Sequence, residues 1–479
     1  MGSLWECTVD IPPQQELTKD IQADVAVIGG GMAGILTAYL LQESGIHAVV
    51  LEAETVACGQ TKNTTAKITS QHGLIYDKLT SQLGRDRALQ YAQANQAAIA
   101  EYERIIKENS ISCDFTRLPA FVYSTAEPAP LLKELKAATE LGLPAGFVDT
   151  APLPFPITGA VRFDDQAQFH PLLFLKDLVQ GVTVYEHARV RSVEGTLART
   201  DTFEVRANHV VFACHYPFIN TPGYYFMRMH QERSYVLALE DAEVLDGMYK
   251  GEAEGSISLR NHGSLLLFGG AGHRTGENSA GGRYAELVRA AKTYYPGSRE
   301  VFRWSAQDCI THDSVPYIGQ YSKDTPNWYV ATGFMKWGMS TSMVAAMLLR
   351  DAIAEKENPN AEVFSPQRSM SLSAVPPLFS DGGQAVKGLL REKLSPPRAA
   401  IDALPNGHGG IVEADGEKAG VYKDDSGNVF VVDTRCPHMG CQLEWNPDER
   451  SWDCPCHGSR FDHTGRLLNG PAQENVNDS

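Results

Sequence analysis

The apolar positions of this chain fall in short runs punctuated by glycine-rich turns. Residues 24–28, Asp-Val-Ala-Val-Ile, form a β-branched run, the pattern of a strand buried on both faces of a parallel sheet. GGGMAG (29–34) follows at once, and then the helical pattern ILTAYLLQESG. A second run, HAVVL, ends at Glu52, 23 residues after Gly29. Strand, glycine turn, helix, strand and terminal acid together predict a dinucleotide-binding unit. In such a unit Gly29 permits the tight turn, Gly31 lets backbone approach a pyrophosphate, and Gly34 lets helix pack on strand. Met32 and Ala33 lie at the helix start, whose amides suit phosphate. Glu52 is placed to hydrogen-bond ribose hydroxyls.

The pattern changes towards the C-terminus. Residues 366–400 read as a linker with a helical piece. Short strand-like runs then alternate with turns in GGIVEADGEKAGVYKDDSGNVFVVDT, where Asp-Asp-Ser-Gly-Asn reads as a hairpin turn. The module at 401–479 is therefore small and all-β. Its loops hold CPHMGC (436–441) and CPCHGS (454–459), which place four of the nine cysteines beside two histidines. A zinc site, an iron–sulfur cluster and a disulfide knot all use these residue types. Zinc knuckles, however, pair like ligands as C-x₂₋₄-C or H-x₃₋₅-H. Here Cys436-x-His438 and Cys454-x-x-His457 each give one thiol and one imidazole, which fits a [2Fe–2S] cluster with Cys₂ on one iron and His₂ on the other.

Composition narrows the partners. The 479 residues suffice for two or three domains. A formal charge of −16 argues against nucleic acid and against an anionic membrane surface. No apolar run approaches the ~18 residues of a membrane span. The N-terminus lacks the basic-then-apolar pattern of a signal peptide. Cys7, Cys58, Cys113, Cys214 and Cys309 are scattered, as in a reducing compartment, so a cytoplasmic location is expected.

Further segments carry a family resemblance. ETVACGQTKNTTAKITSQHG follows Glu52, THDSVPYIG occupies 311–319, and TGFMKWGMSTSMVAAMLL begins at 332. With the glycine turn, these make residues 20–365 resemble the D-amino-acid oxidase/glycine oxidase superfamily of FAD-dependent oxidoreductases. The resemblance implies an α/β FAD/NAD(P)-binding (Rossmann-like) domain with an interleaved α+β substrate domain, at 1–365. The FAD-binding part would lie mainly in 20–80, 180–220 and 305–360. It places Glu52 on the adenosine ribose, and Gly59, Gln60, Thr61, Thr65 and Ala66 along the pyrophosphate and flavin. Val190 would hold adenine through its backbone, with Ala213 and Gly319 also at the cofactor. Gly333, Gly338 and Met339 would lie against the flavin, with Ser340 capping the last helix. Lys67, His72, Lys336 and Trp337 are the candidate catalytic side chains at the flavin edge. Some relatives link flavin to a cysteine six residues before the motif aspartate; Gln307 stands there, so noncovalent FAD is implied. GGAGHRTG (269–276) imitates a second nucleotide turn but lacks a following strand-end acid, and reads as a glycine-lined sheet end. His273 and Arg274 within it could bind a substrate carboxylate, but read first as a solvated loop.

The C-terminal module resembles the Rieske family. The resemblance implies Cys436, His438, Cys454 and His457 as cluster ligands, a Cys441–Cys456 disulfide, and Gly470–Ala472 as a loop over the cluster. The expected function is oxidation of an amine, N-methyl amine or amino acid, with electrons passing from flavin to the cluster and on to a one-electron acceptor protein or quinone-like acceptor. The alternatives are a flavin oxidase using O₂, its cluster structural or regulatory, and an electron-transfer or redox-sensing protein without its own substrate.

Overall fold

The β-branched run becomes strand Val25–Ile28, at the centre of a seven-stranded sheet. The strand order is Gln15–Glu16, Thr183–Glu186, Ala48–Leu51, Val25–Ile28, His209–Phe212, Thr325–Thr332, Tyr317–Ser322. All neighbours are parallel except the last pair. Val25 and Val27 enter one apolar core, Ala26 and Ile28 another on the opposite face. Burial on both faces explains why the run is continuous rather than alternating. The computed structural model describes residues 2–368, 404–414 and 417–478; from residue 369 onward the expected linker lies outside the described residues.

Helix Met32–Glu43 starts directly at the glycine turn. A Cβ on Gly34 would stand 1.9 Å from the Gly29 carbonyl oxygen, so the helix can approach its own turn only through glycine. Helix Gly338–Ile353 packs beside it in the same core. Ser340 does not cap that helix. Trp337 occupies the N-cap without a side-chain bond, while Ser340 Oγ donates to Thr69 O (2.7 Å) and accepts from Thr69 N (3.1 Å). The hydroxyl is used to tie the helix to the segment after Lys67.

A second, larger sheet runs from Arg299–Thr311 through Met229–Glu240, Leu265–Arg274, Ser258–His262, Met248–Gly251, Thr116–Ser124 and Gly159–Gln168 to Lys67–Ile68. Lys67, on the edge strand, bonds Ser258 four strands away. The sheet therefore curls, and its concave side faces the dinucleotide turn.

The C-terminal part holds two antiparallel sheets, of three and four strands. The predicted turn joins Glu417–Lys423 to Val429–Asp433, with Asp424 Oδ1 accepting from Ser426 N (2.9 Å) and Asn428 N (2.8 Å). Between Glu444–Asn446 and Ser451–Asp453 a hairpin tip inserts into the large N-terminal sheet. Glu449 there accepts from Arg233 Nη2 (2.8 Å), Ser305 Oγ (2.6 Å) and Tyr284 OH (3.1 Å). Asp448 accepts from Arg283 N and Asn278 Nδ2, both at 2.9 Å. Among the described residues no helix is long and apolar enough to cross a membrane.

Candidate functional site

A cavity of about 1250 Å³ opens between the dinucleotide turn and the curled sheet. Gly29, Gly31, Met32, Ala33, Glu52, Gly59, Gln60, Thr61, Thr65, Val190 and Ala213, all expected at the cofactor, are brought together along its wall. Glu52 accepts from Gly30 N (2.6 Å) and Glu54 N (2.9 Å). Burial raises its pKa, and these backbone donors and Arg189 oppose the rise. A Cβ on Gly31 would stand 3.2 Å from Thr61 Oγ1, so the turn is a cradle that a side chain would fill. A half-buried acid beyond a bare turn suits a dinucleotide's ribose and pyrophosphate.

Three expected contacts fall off this wall. The Ala66 carbonyl accepts from buried Arg260 (3.0 Å), Gly333 packs on Thr311, and Gly319 faces Pro366. His72 is also displaced. Its Nδ1 bonds Tyr91 OH and its Nε2 Thr69 O, each at 2.6 Å. Burial lowers its pKa to about 3, so it is a neutral structural histidine. Its ring lies 4.8 Å beneath Trp337, nearly parallel, and supports a side chain that does reach the cavity.

The other end of the cavity carries charge. Lys67 and Lys336 line it, with Gly338 and Met339 nearby. Burial, then the charges of Arg260 and Lys250, lowers the Lys67 pKa to about 7. Burial and Lys336 lower Lys250 to about 8. Among the described residues neither pairs with a carboxylate: Lys67 bonds Ser258 Oγ, and Lys250 bonds Gly251 O (3.1 Å) and Ser256 O (3.3 Å). Lys336 instead sits 3.0 Å from Glu232. Burial disfavours its charge, but Glu232 and Asp308 outweigh this and raise its pKa. Glu232 is pushed down to about 2, because His230 and Lys336 overcome its burial. Burial holds Asp308 up at about 7 against the pull of Lys336. His273 and Arg274 are part of the wall rather than a solvated loop. The His273 Nε2 lies 2.9 Å from Tyr235 OH. Sequence reasoning missed Lys250, Glu232, Ser258 and Asp308. Glu232 and Asp308 are direct cross-strand partners on two long strands, where a charged side chain within an otherwise half-apolar strand was the signal; Lys250 and Ser258 lie on short strands and gave none.

The cluster loops lie at the same domain boundary. Cys436 and Cys454 are buried free thiols, and Cys441 is bonded to Cys456. The sulfurs of Cys441, Cys454 and Cys456 lie within 4.8 Å of one another, but the disulfide uses two of them. His438 and His457 are 4.9 Å apart and nearly perpendicular. Among the described residues the Nδ1 atom of each is buried without a hydrogen-bond partner. Two thiols and two orphaned imidazole nitrogens could hold a Cys₂His₂ [2Fe–2S] cluster. Ser459 Oγ accepts from Ala472 N (3.0 Å), which anchors the expected covering loop. Leu468, Asn469, Gly470, Ala472 and Gln473 of that region also line the large cavity.

Residues 24–352 match the FAD dependent oxidoreductase family (DAO), and residues 397–478 match the Rieske [2Fe-2S] domain. A Bacillus subtilis (strain 168) protein named as a Rieske 2Fe-2S iron-sulfur protein, YhfW, is 36% identical over 485 residues, covering 98% of this chain and 95% of that one. A 43-residue stretch is 46% identical to the cytochrome b6-f complex iron-sulfur subunit of Synechococcus elongatus, covering 9% of this chain and 24% of that one. Among solved structures, glycine oxidase from Geobacillus kaustophilus aligns with TM-score 0.62 and 18% identity, covering 73% of this chain and 100% of that one. L-amino acid deaminase from Proteus vulgaris aligns with TM-score 0.60 and 15% identity, covering 74% and 99%. At these identities the likeness shows the fold.

Proposed function

Since the chain belongs to the FAD dependent oxidoreductase family and ends in a Rieske [2Fe-2S] domain, we propose that it is a dehydrogenase for the C–N bond of an amino acid or N-substituted amino acid. When bound, FAD supplies two-electron acceptance from the substrate and the Rieske cluster one-electron relay to an outside acceptor. The observation that carries this reading is one continuous cavity bounded by the dinucleotide turn, a charged sheet face and Rieske residues Leu468, Asn469, Gly470, Ala472 and Gln473.

Within it, Glu52 would accept from the ribose of the bound FAD, and the glycine turn would offer its backbone to the pyrophosphate. Lys67 and Lys250, which have no carboxylate partner among the described residues, match a substrate carboxylate, with Ser258 between them as a further donor. That match favours an amino acid over a simple amine. Asp308 faces the same space with a pKa near neutrality, so its carboxylate can take the proton of a substrate ammonium and leave the amine neutral. Trp337, backed by His72, closes the wall and excludes water.

Anaerobic mixing with panels of amino acids, N-methyl amino acids and simple amines tests the reading. Bleaching of the flavin band by amino acids is expected. Bleaching by simple amines alone would remove the carboxylate assignment, and no bleaching by any of them would remove the dehydrogenase.

A further inference from the structure

With Nδ1 of both histidines turned towards the cluster site, their Nε2 atoms form the outer edge of the Rieske domain. In this chain that edge faces inward. His438 Nε2 lies 2.9 Å from Asn220 Oδ1 of the N-terminal domain. With Nδ1 reserved for metal, Nε2 carries the proton and donates it. The His457 ring meets Phe226 edge-on at 5.6 Å.

Behind these contacts stand two glutamines, each 1% exposed. Gln231 Nε2 donates to His457 O (2.7 Å) and Gly470 O (3.1 Å). Gln307 Nε2 donates to Gly458 O (2.7 Å) and to Gln231 Oε1 (2.5 Å), and Gln307 Oε1 accepts from Arg233 (3.1 Å). The two amides are thus fully used, and a buried polar network this complete fixes one arrangement. Gln307 also lines the flavin cavity, where its N–H donates to Gln60 Oε1 (2.7 Å). A hydrogen-bonded connection therefore runs from cavity wall to cluster loop through one residue.

We propose that this face is a built-in electron junction. Gln231 and Gln307 are positioning residues that seat the histidine edge of the cluster against the flavin cavity, and Asn220 fixes His438 within it. The inference rests on the electron path proposed above. Oxidation of an amine to an imine breaks one C–H and one N–H bond and releases two electrons and two protons. With both groups bound, the electrons would cross the junction singly, with an outside one-electron acceptor reoxidising the cluster between crossings. The protons stay on the cavity side.

The test uses full-length protein carrying both cofactors, with the flavin reduced by light under anaerobic conditions and no amine present. Cluster reduction is followed by its EPR signal. Gln307→Leu and the isosteric Gln307→Glu, which replaces a donor with an acceptor, should slow it roughly tenfold, the factor that about 1.4 kcal/mol of docking represents. FAD and iron contents should stay those of the wild type. Gln231→Leu should act in the same direction. Asn220→Ala should shift the g-values and midpoint of the cluster. Unchanged rates in the glutamine variants, together with an unchanged spectrum in Asn220→Ala, would overturn the junction alone. A wild-type cluster that dithionite reduces but reduced flavin does not would overturn the electron path, and the junction with it.

Discussion

Removing the Lys336 ammonium would leave two carboxylates, Glu232 and Asp308, facing one stretch of cavity wall without their cation. Negative charge there disfavours an electron-rich flavin. Lys336→Met should therefore lower the flavin midpoint by roughly 30 mV, the two-electron equivalent of ~1.4 kcal/mol, and Glu232→Gln should raise it. Redox titration of the bound flavin reads both signs. Lys67 and Lys250 give a pH signature. Burial lowers their pKa values to about 7 and about 8, so both lose their charge as pH rises through that window. Affinity for a carboxylate ligand should fall between pH 6.5 and 9, while that for an amine without a carboxylate should not fall in parallel; flavin difference spectra would measure both. At the cluster, Ser459 keeps one hydroxyl in reach of the Cys436 sulfur, and Phe461 is buried in the same core. A hydroxyl donor stabilises the reduced, more negative centre, so Phe461→Tyr should raise its midpoint by roughly 30–60 mV, a part of the ~1.5–3 kcal/mol of a charge-assisted bond. Ser459→Ala should lower it.

The hairpin tip carrying Asp448 and Glu449 is the element that locks the two domains. Arg233 is 2% exposed, so Glu449→Ala leaves a buried guanidinium without its carboxylate. The expected loss is about 3–5 kcal/mol, seen as earlier unfolding in denaturant, with part recovered in the Glu449→Ala/Arg233→Met double variant. This tip, Pro447-Asp448-Glu449-Arg450, reads in sequence as an ordinary polar turn, because its partners lie about 150–220 positions earlier in the chain. The same limit hid Glu232 and Asp308, which meet only through the register of two long strands. Local chemistry was legible: the β-branched Val25–Ile28 strand, the glycine turn and the Asp424–Asn428 hairpin depend on neighbours in the chain. His72 shows where that reasoning failed. The segment that holds it passes the flavin cavity, but its ring turns back to Tyr91 and Thr69 and serves Trp337 from behind.

At the scale of the whole molecule, the Rieske domain is part of the flavin cavity as well as its neighbour. Leu468, Asn469, Gly470, Ala472 and Gln473 line the large cavity, so under the function proposed above the substrate space is complete only with both domains in place. The charge of −16 favours a cationic outside acceptor. The inward-facing histidine edge also constrains how the protein is made. Once Asn220, Gln231 and Gln307 have closed on the loops, the nitrogens left for iron are buried and no scaffold protein can reach them. Maturation must then follow an order, with iron and sulfide delivered while the module still hangs free and docking sealing them in. Cells starved of iron should accumulate a flavin-loaded chain whose C-terminal module is cut readily by protease, and the cut should disappear when iron is restored before, but not after, translation ends.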